Sequence, residues 1–88
     1  MAIYEELLEL EWPSEFIIEY VDGNRERLIR GDGVFITPPA DDPEGHGALS
    51  ANLPKKHPRH QQIGRYIRFT ELRAIDTPDG RRLWPAIG

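Results

Sequence analysis

Residues 64–84, Gly-Arg-Tyr-Ile-Arg-Phe-Thr-Glu-Leu-Arg-Ala-Ile-Asp-Thr-Pro-Asp-Gly-Arg-Arg-Leu-Trp, constrain the fold more than any other stretch. Arg65, Ile67 and Phe69 fall on one face and Tyr66 and Arg68 on the other, the period of two that a strand imposes. Thr70-Glu71-Leu72 breaks the alternation and reads as a corner or a single turn of tight helix. The strand resumes from Arg73 to Thr77, with Ala74 and Leu72 turned inward. Pro78-Asp79-Gly80 then supplies turn chemistry: proline fixes φ, aspartate caps its own backbone and glycine accepts positive φ. Arg81 to Trp84 returns antiparallel. A chain that closes this way is building a bent antiparallel sheet.

The remainder agrees with that reading. Residues 2–11 space Ile3, Leu7 and Leu10, with Tyr4 and Leu8, at three- and four-residue intervals, and Glu5, Glu6, Glu9 and Glu11 fill the other side. This is a short amphipathic helix, ended by Trp12-Pro13 because the residue before proline is pushed out of helical geometry. So short a helix does not stand alone in water, so it either plugs the open end of a β-roll or docks on a partner. Residues 15–21 are the clearest strand, with Phe16, Ile18 and Tyr20 on one face. Asp22-Gly23 is a hairpin turn. Residues 25–30 alternate without a fully apolar face, as an edge strand does, and residues 34–37 form a short apolar strand. Residues 38–47 hold three prolines, two glycines and three acids and read as a mobile loop. Residues 48–53 are a weakly signalled strand, and 54–60 a basic loop. The expected core is Phe16, Ile18, Tyr20, Leu28, Val34, Ile36, Ile67, Phe69, Ile75 and Leu83.

This order, a short N-terminal helix, a bent hairpin, an irregular middle, then strand, corner, strand, turn and strand, resembles the small SH3-like and Sm-like barrels. The resemblance covers residues 15–37 and 64–84, about half of the chain, and rests on the hairpin at Asp22-Gly23 and the corner Arg68-Phe69-Thr70-Glu71-Leu72. It implies a mainly β fold of about five strands, a bent antiparallel barrel or roll, in a class that binds peptides, RNA or larger assemblies. No site residue is carried over from it, because a fold does not define a function.

The charge pattern bears on partners. Residues 1–44 carry twelve acids and three bases, a net of −9; residues 45–88 carry three acids and eight bases, a net of +5; together these give −4. The halves either neutralise each other inside one fold or address an electrostatic partner, and a small roll that sets them side by side favours neutralisation. A nucleic-acid face would use Lys55, Lys56, Arg59, Arg65, Tyr66, Arg68, Arg81 and Arg82, cations for phosphates with aromatics for stacked bases. The acidic overall balance argues against it, since such domains are strongly basic. A protein-docking face would use Glu5, Glu6, Leu8, Glu9 and Trp12, an acidic helix beside an apolar patch.

Enzymatic and metal chemistry find little footing. There is no cysteine, which excludes disulfides, thiolate metal sites and cysteine nucleophiles and fits a reducing cytoplasm. His46, His57, His60, Asp41 and Asp42 are metal-ligand types, but they sit in proline-broken loops with no helix to fix their spacing. Asp41 and Asp42 lie where acid–base geometry is not held, and Ser14 and Ser50 lack a nucleophile elbow. The acidic N-terminus has no basic leader, and no apolar run reaches the length of a membrane span. The expectation is a single domain, 1–88, that is non-catalytic and cofactor-free. It docks to another macromolecule, a protein first and a nucleic acid as the alternative, with a small metal-binding protein or enzyme as the third reading, away from membranes and as a monomer or homodimer.

Overall fold

The computed structural model describes residues 3–31, 33–54 and 64–85. Within them lie a helix α1 (Ile3–Leu8) and the strands β1 (Glu15–Tyr20), β2 (Arg25–Ile29), β3 (Phe35–Thr37), β4 (Ala48–Ala51), β5 (Arg65–Arg68), β6 (Leu72–Asp76) and β7 (Arg82–Trp84). Single 3-10 turns occupy Pro39–Asp41 and Phe69–Glu71. One antiparallel sheet has the order β2-β1-β6-β7 and the other β3-β4-β5. The chain passes from the second to the first through the Phe69–Glu71 turn, the corner that Thr70-Glu71-Leu72 signals in the sequence.

The protein is therefore mainly β with one short helix, but among the described residues the two sheets do not close into a barrel. Closure needs a continuous ladder from each strand to the next. Here, among the described residues, a single β-bridge joins the sheets: Ile29 donates its N–H to Asn52 O at 2.9 Å, and Asn52 donates back at 3.3 Å. β2 is an edge strand of its sheet, as its mixed faces suggest.

The core lies between the sheets. Phe16, Ile18, Leu28, Ile67 and Phe69 are buried as their phase requires, Ile75 is buried although Leu72 and Ala74 on the opposite phase of β6 are buried too, and Tyr20, Val34, Ile36 and Leu83 pack at the core's margin. Leu49 and Leu53 are also fully buried, though the pattern of residues 48–53 signals a strand only weakly. β4 explains this: it runs between β3 and β5, with Ile36, Leu49 and Ile67 in one row. A strand covered on both edges tolerates the small, weakly β-forming Ala48-Leu49-Ser50-Ala51, because its neighbours supply the packing.

The helix is shorter than the 2–11 expected. Its last turn tightens, with Glu9 N–H shared between the Glu5 and Glu6 carbonyls, and the glutamates at positions 9 and 11 oppose the negative helix end. Leu7 is buried, Ile3, Tyr4 and Leu10 pack on the core, and Leu8 points away from it. Trp12 stacks tilted on Phe16, with ring centres 4.9 Å apart, and its carbonyl accepts Arg30 Nη1 at 2.8 Å. The segment after α1 is thus pinned to β1 and β2. No described helix is long and apolar enough to cross a membrane.

Candidate interaction surface

The register of the three-stranded sheet places Phe35, Ser50 and Tyr66 in one row across β3, β4 and β5. Their neighbours Ile36, Leu49 and Ile67 face the core, so by the period of two this row faces outward. Phe35 is 77% exposed and Tyr66 46% exposed. The short Ser50 side chain between the two rings leaves a groove of about 410 Å³, also lined by Gly33, Asn52 and Arg65. The signal for Phe35 is legible only as phase: Val34 and Ile36 take the core side of an apolar run, which leaves Phe35 on the other.

Tyr66 is held from beyond the sheet. Its hydroxyl donates to Asp42 Oδ1 at 2.8 Å, and Asp42 Oδ2 accepts the N–H groups of His46 at 2.9 Å and Gly47 at 3.2 Å. These donors, His46 N–H foremost, hold the Asp42 carboxyl below the usual carboxylate range. The reciprocal effect raises the Tyr66 hydroxyl above the usual tyrosine value, with the Asp42 hydrogen bond as the main cause and desolvation next. Gly47 sits at φ +84° with a Cβ position 2.5 Å from the Phe69 ring, so only glycine fits there. Residues 38–47 are therefore not the loose loop their composition suggests. Asp42, 5% exposed, fastens them to β5, and its geometry is fixed after all.

Arg68 stands beside Tyr66 on the same face. Its guanidinium carbon lies 5.8 Å from the Tyr66 ring centre, and its Nε lies 2.9 Å from Glu44 Oε2, at an angle that makes the contact an ion pair rather than a hydrogen bond. Arg65 faces the other way and donates to Glu26 Oε2 at 2.8 Å, while Glu26 Oε1 accepts the Tyr20 hydroxyl at 2.7 Å. Asp76 accepts from Arg25 at 2.8 Å and from Arg82 at 2.6 Å. Arg27 pairs with Glu15 at 3.0 Å, and Arg73 approaches Glu19 at 3.8 Å. Arg65, Arg68 and Arg73 of the basic half thus meet Glu26, Glu44 and Glu19 of the acidic half, so part of the charge asymmetry is neutralised within the fold.

The structure divides the nucleic-acid candidates. Lys55, Lys56 and Arg59 lie outside the described residues, as do His57 and His60. Arg65, Arg68 and Arg82 are each occupied by a carboxylate. Arg81 is exposed, and its backbone N–H donates to Thr77 Oγ1 at 2.9 Å. Tyr66 and Arg68 share the outer face of β5, which Arg65 does not.

The docking candidates divide too. Glu5 and Leu8 of α1 and Glu9 in the turn that follows it are exposed and spaced i, i+3 and i+4, so they lie on one side. Leu8 is 54% exposed. Glu6 instead accepts Trp84 Nε1 at 3.2 Å, and Trp12 is committed to Phe16. α1 packs against β3, the strand that carries Phe35. Among the described residues no group of three or more histidine, aspartate or glutamate side chains is gathered to hold a metal ion. No family model matches the chain, and no curated protein or solved structure is significantly similar to it.

Proposed function

We propose that the protein is a non-catalytic interaction module, an SH3-like roll in which the Phe69–Glu71 corner links the two sheets. It docks a partner protein through Glu5 and Leu8 of α1, Glu9 just after it, and Phe35 of β3. The observation that carries this reading is the exposed Phe35 ring on the strand that α1 packs against. A lone exposed apolar side chain is ordinary, but this one shares a row with the exposed Tyr66 ring, on the strand that α1 packs against. Burying a phenylalanine ring against a partner yields about 1.5–3 kcal/mol, and the glutamates beside it steer a basic partner surface. The absence of cysteine suits a cytoplasmic setting, and the outer edge of β2, bridged among the described residues at Ile29 alone, suits a homodimer as well as a monomer. The test is partner capture by the native protein, by Phe35→Ala and by the pair Glu5→Lys/Glu9→Lys. Capture lost in both variants with the fold retained supports docking here; capture unchanged in both rejects it.

A second reading, single-stranded nucleic-acid binding, draws on the exposed Tyr66 ring with Arg68 beside it on one face. Binding to short RNA and DNA strands that weakens steeply with salt supports it. No binding at low salt removes it.

A further inference from the structure

We infer that the segment received by the Phe35–Ser50–Tyr66 row is cationic and carries arginine; this rests on the docking reading above. The row supplies the geometry. Phe35 and Tyr66 stand on β3 and β5, two strand spacings or roughly 9.6 Å apart, with only Ser50 between them. Two aromatic side chains at that separation admit one flat group stacked between them. A guanidinium is such a group: planar, weakly hydrated and attracted to the face of an aromatic ring. The protein already uses Tyr66 in this way, since the Arg68 guanidinium lies 5.8 Å from its ring centre.

The charges around the row agree. Among the described residues the cations at its border are paired, Arg65 with Glu26 at 2.8 Å and Arg68 with Glu44 at 2.9 Å. Among the described residues negative charge is left over. Asp42 behind Tyr66 accepts hydrogen bonds from the neutral donors His46 N–H, Gly47 N–H and Tyr66 O–H and feels the Arg68 guanidinium, itself paired with Glu44, without a direct ion pair among the described residues. Among the described residues Glu5 and Glu9 on the helix beside β3 enter no ion pair. An anionic ligand would face this surplus, whereas a guanidinium gains both the stacking and the field.

The test is an amide-resolved NMR titration of the intact protein with three synthetic peptides of equal length, rich in arginine, lysine or glutamate, and with a short oligothymidine. The expected result is saturable shifts at Phe35, Ser50 and Tyr66 with the arginine peptide. Affinity should fall about ten-fold for the lysine peptide and for the Phe35→Ala variant. Phe35 is exposed, so the rest of the Phe35→Ala spectrum should stay in place and report an intact fold. Equal arginine and lysine affinities, with shifts spread along the α1 glutamates, overturn the inference in favour of unspecific charge attraction. Silence of the row towards both cationic peptides also overturns it. Shifts at the row with the glutamate peptide overturn the cationic chemistry while leaving the docking face standing, and shifts there with oligothymidine overturn both.

Discussion

The Tyr66 hydroxyl meets the Asp42 carboxylate at 2.8 Å across 24 residues of chain. This contact ties a proline- and glycine-rich loop to the outer face of the three-stranded sheet, and it orients one of the two exposed aromatic rings. Because the Asp42 carboxyl is held below the ordinary range in the folded protein, its contribution to stability is present above the unfolded value, near 4, and is lost as pH falls through the lower folded value. Asp42→Ala should therefore lower the urea midpoint at pH 7, and the gap between variant and native protein should narrow below pH 4. A gap independent of pH would mean that the carboxylate is not the loop's anchor.

Tyr20 carries the opposite linkage. Burial first, then the hydrogen bond to Glu26, push its hydroxyl well above the usual tyrosine value. The sign is that of a raised group: the stabilisation is complete below the unfolded value near 10 and is lost as pH rises above it. Tyr20→Phe should cost about 1 kcal/mol at pH 7 through the lost Glu26 hydrogen bond. Its denaturation midpoint should then decline less steeply than the native one above pH 10.

Asp76 is a buried carboxylate flanked by Arg25 and Arg82. Asp76→Asn removes the charge that both guanidinium groups address, and we expect a loss of about 2 kcal/mol by urea denaturation. Arg25→Ala should cost about 0.5–1 kcal/mol, since that side chain is half exposed and Arg82 remains.

Neighbouring leucines on α1 separate packing from docking. Leu7→Ala opens a cavity against the core and should cost about 2–5 kcal/mol, because Leu7 is fully buried. Leu8→Ala should change stability by less than about 0.5 kcal/mol while weakening partner capture. Equal stability costs at the two positions would contradict the placement of the helix.

Gly47 and Gly23 both have positive φ, but only Gly47 has a neighbour where a Cβ would stand. Gly23→Ala should cost about 1 kcal/mol for backbone conformation alone. Gly47→Ala should cost more, because the Phe69 ring must also move. Thermal denaturation of the two variants measures the difference.

Much of the fold is legible in the residues themselves. The alternation of Phe16 and Ile18, the Asp22-Gly23 turn, the corner after Arg68 and the Pro78-Asp79-Gly80 turn each carry a local cause that survives in the structure. What escapes is decided between distant segments. Ala48-Leu49-Ser50-Ala51 looks weak alone and becomes the centre of a sheet because β3 and β5 cover it. Asp42 reads as one acid in a loose loop until Tyr66 arrives from 24 residues away. The partial neutralisation of the two halves is anticipated by their charge, but which arginine meets which glutamate depends on register. Phe35 is the plainest case. Its exposure follows from phase, yet its pairing with Tyr66 requires knowing that β4 lies between them.

A photo-crosslinking residue at position 35, compared with the same residue at Val21, which is 56% exposed on the β1–β2 hairpin, tests the docking face most directly. In extract of the cells that make the protein, the account predicts a discrete, nuclease-resistant protein adduct from position 35 and none from position 21. Equal adducts from both positions, or an adduct at position 35 that nuclease removes, would contradict it.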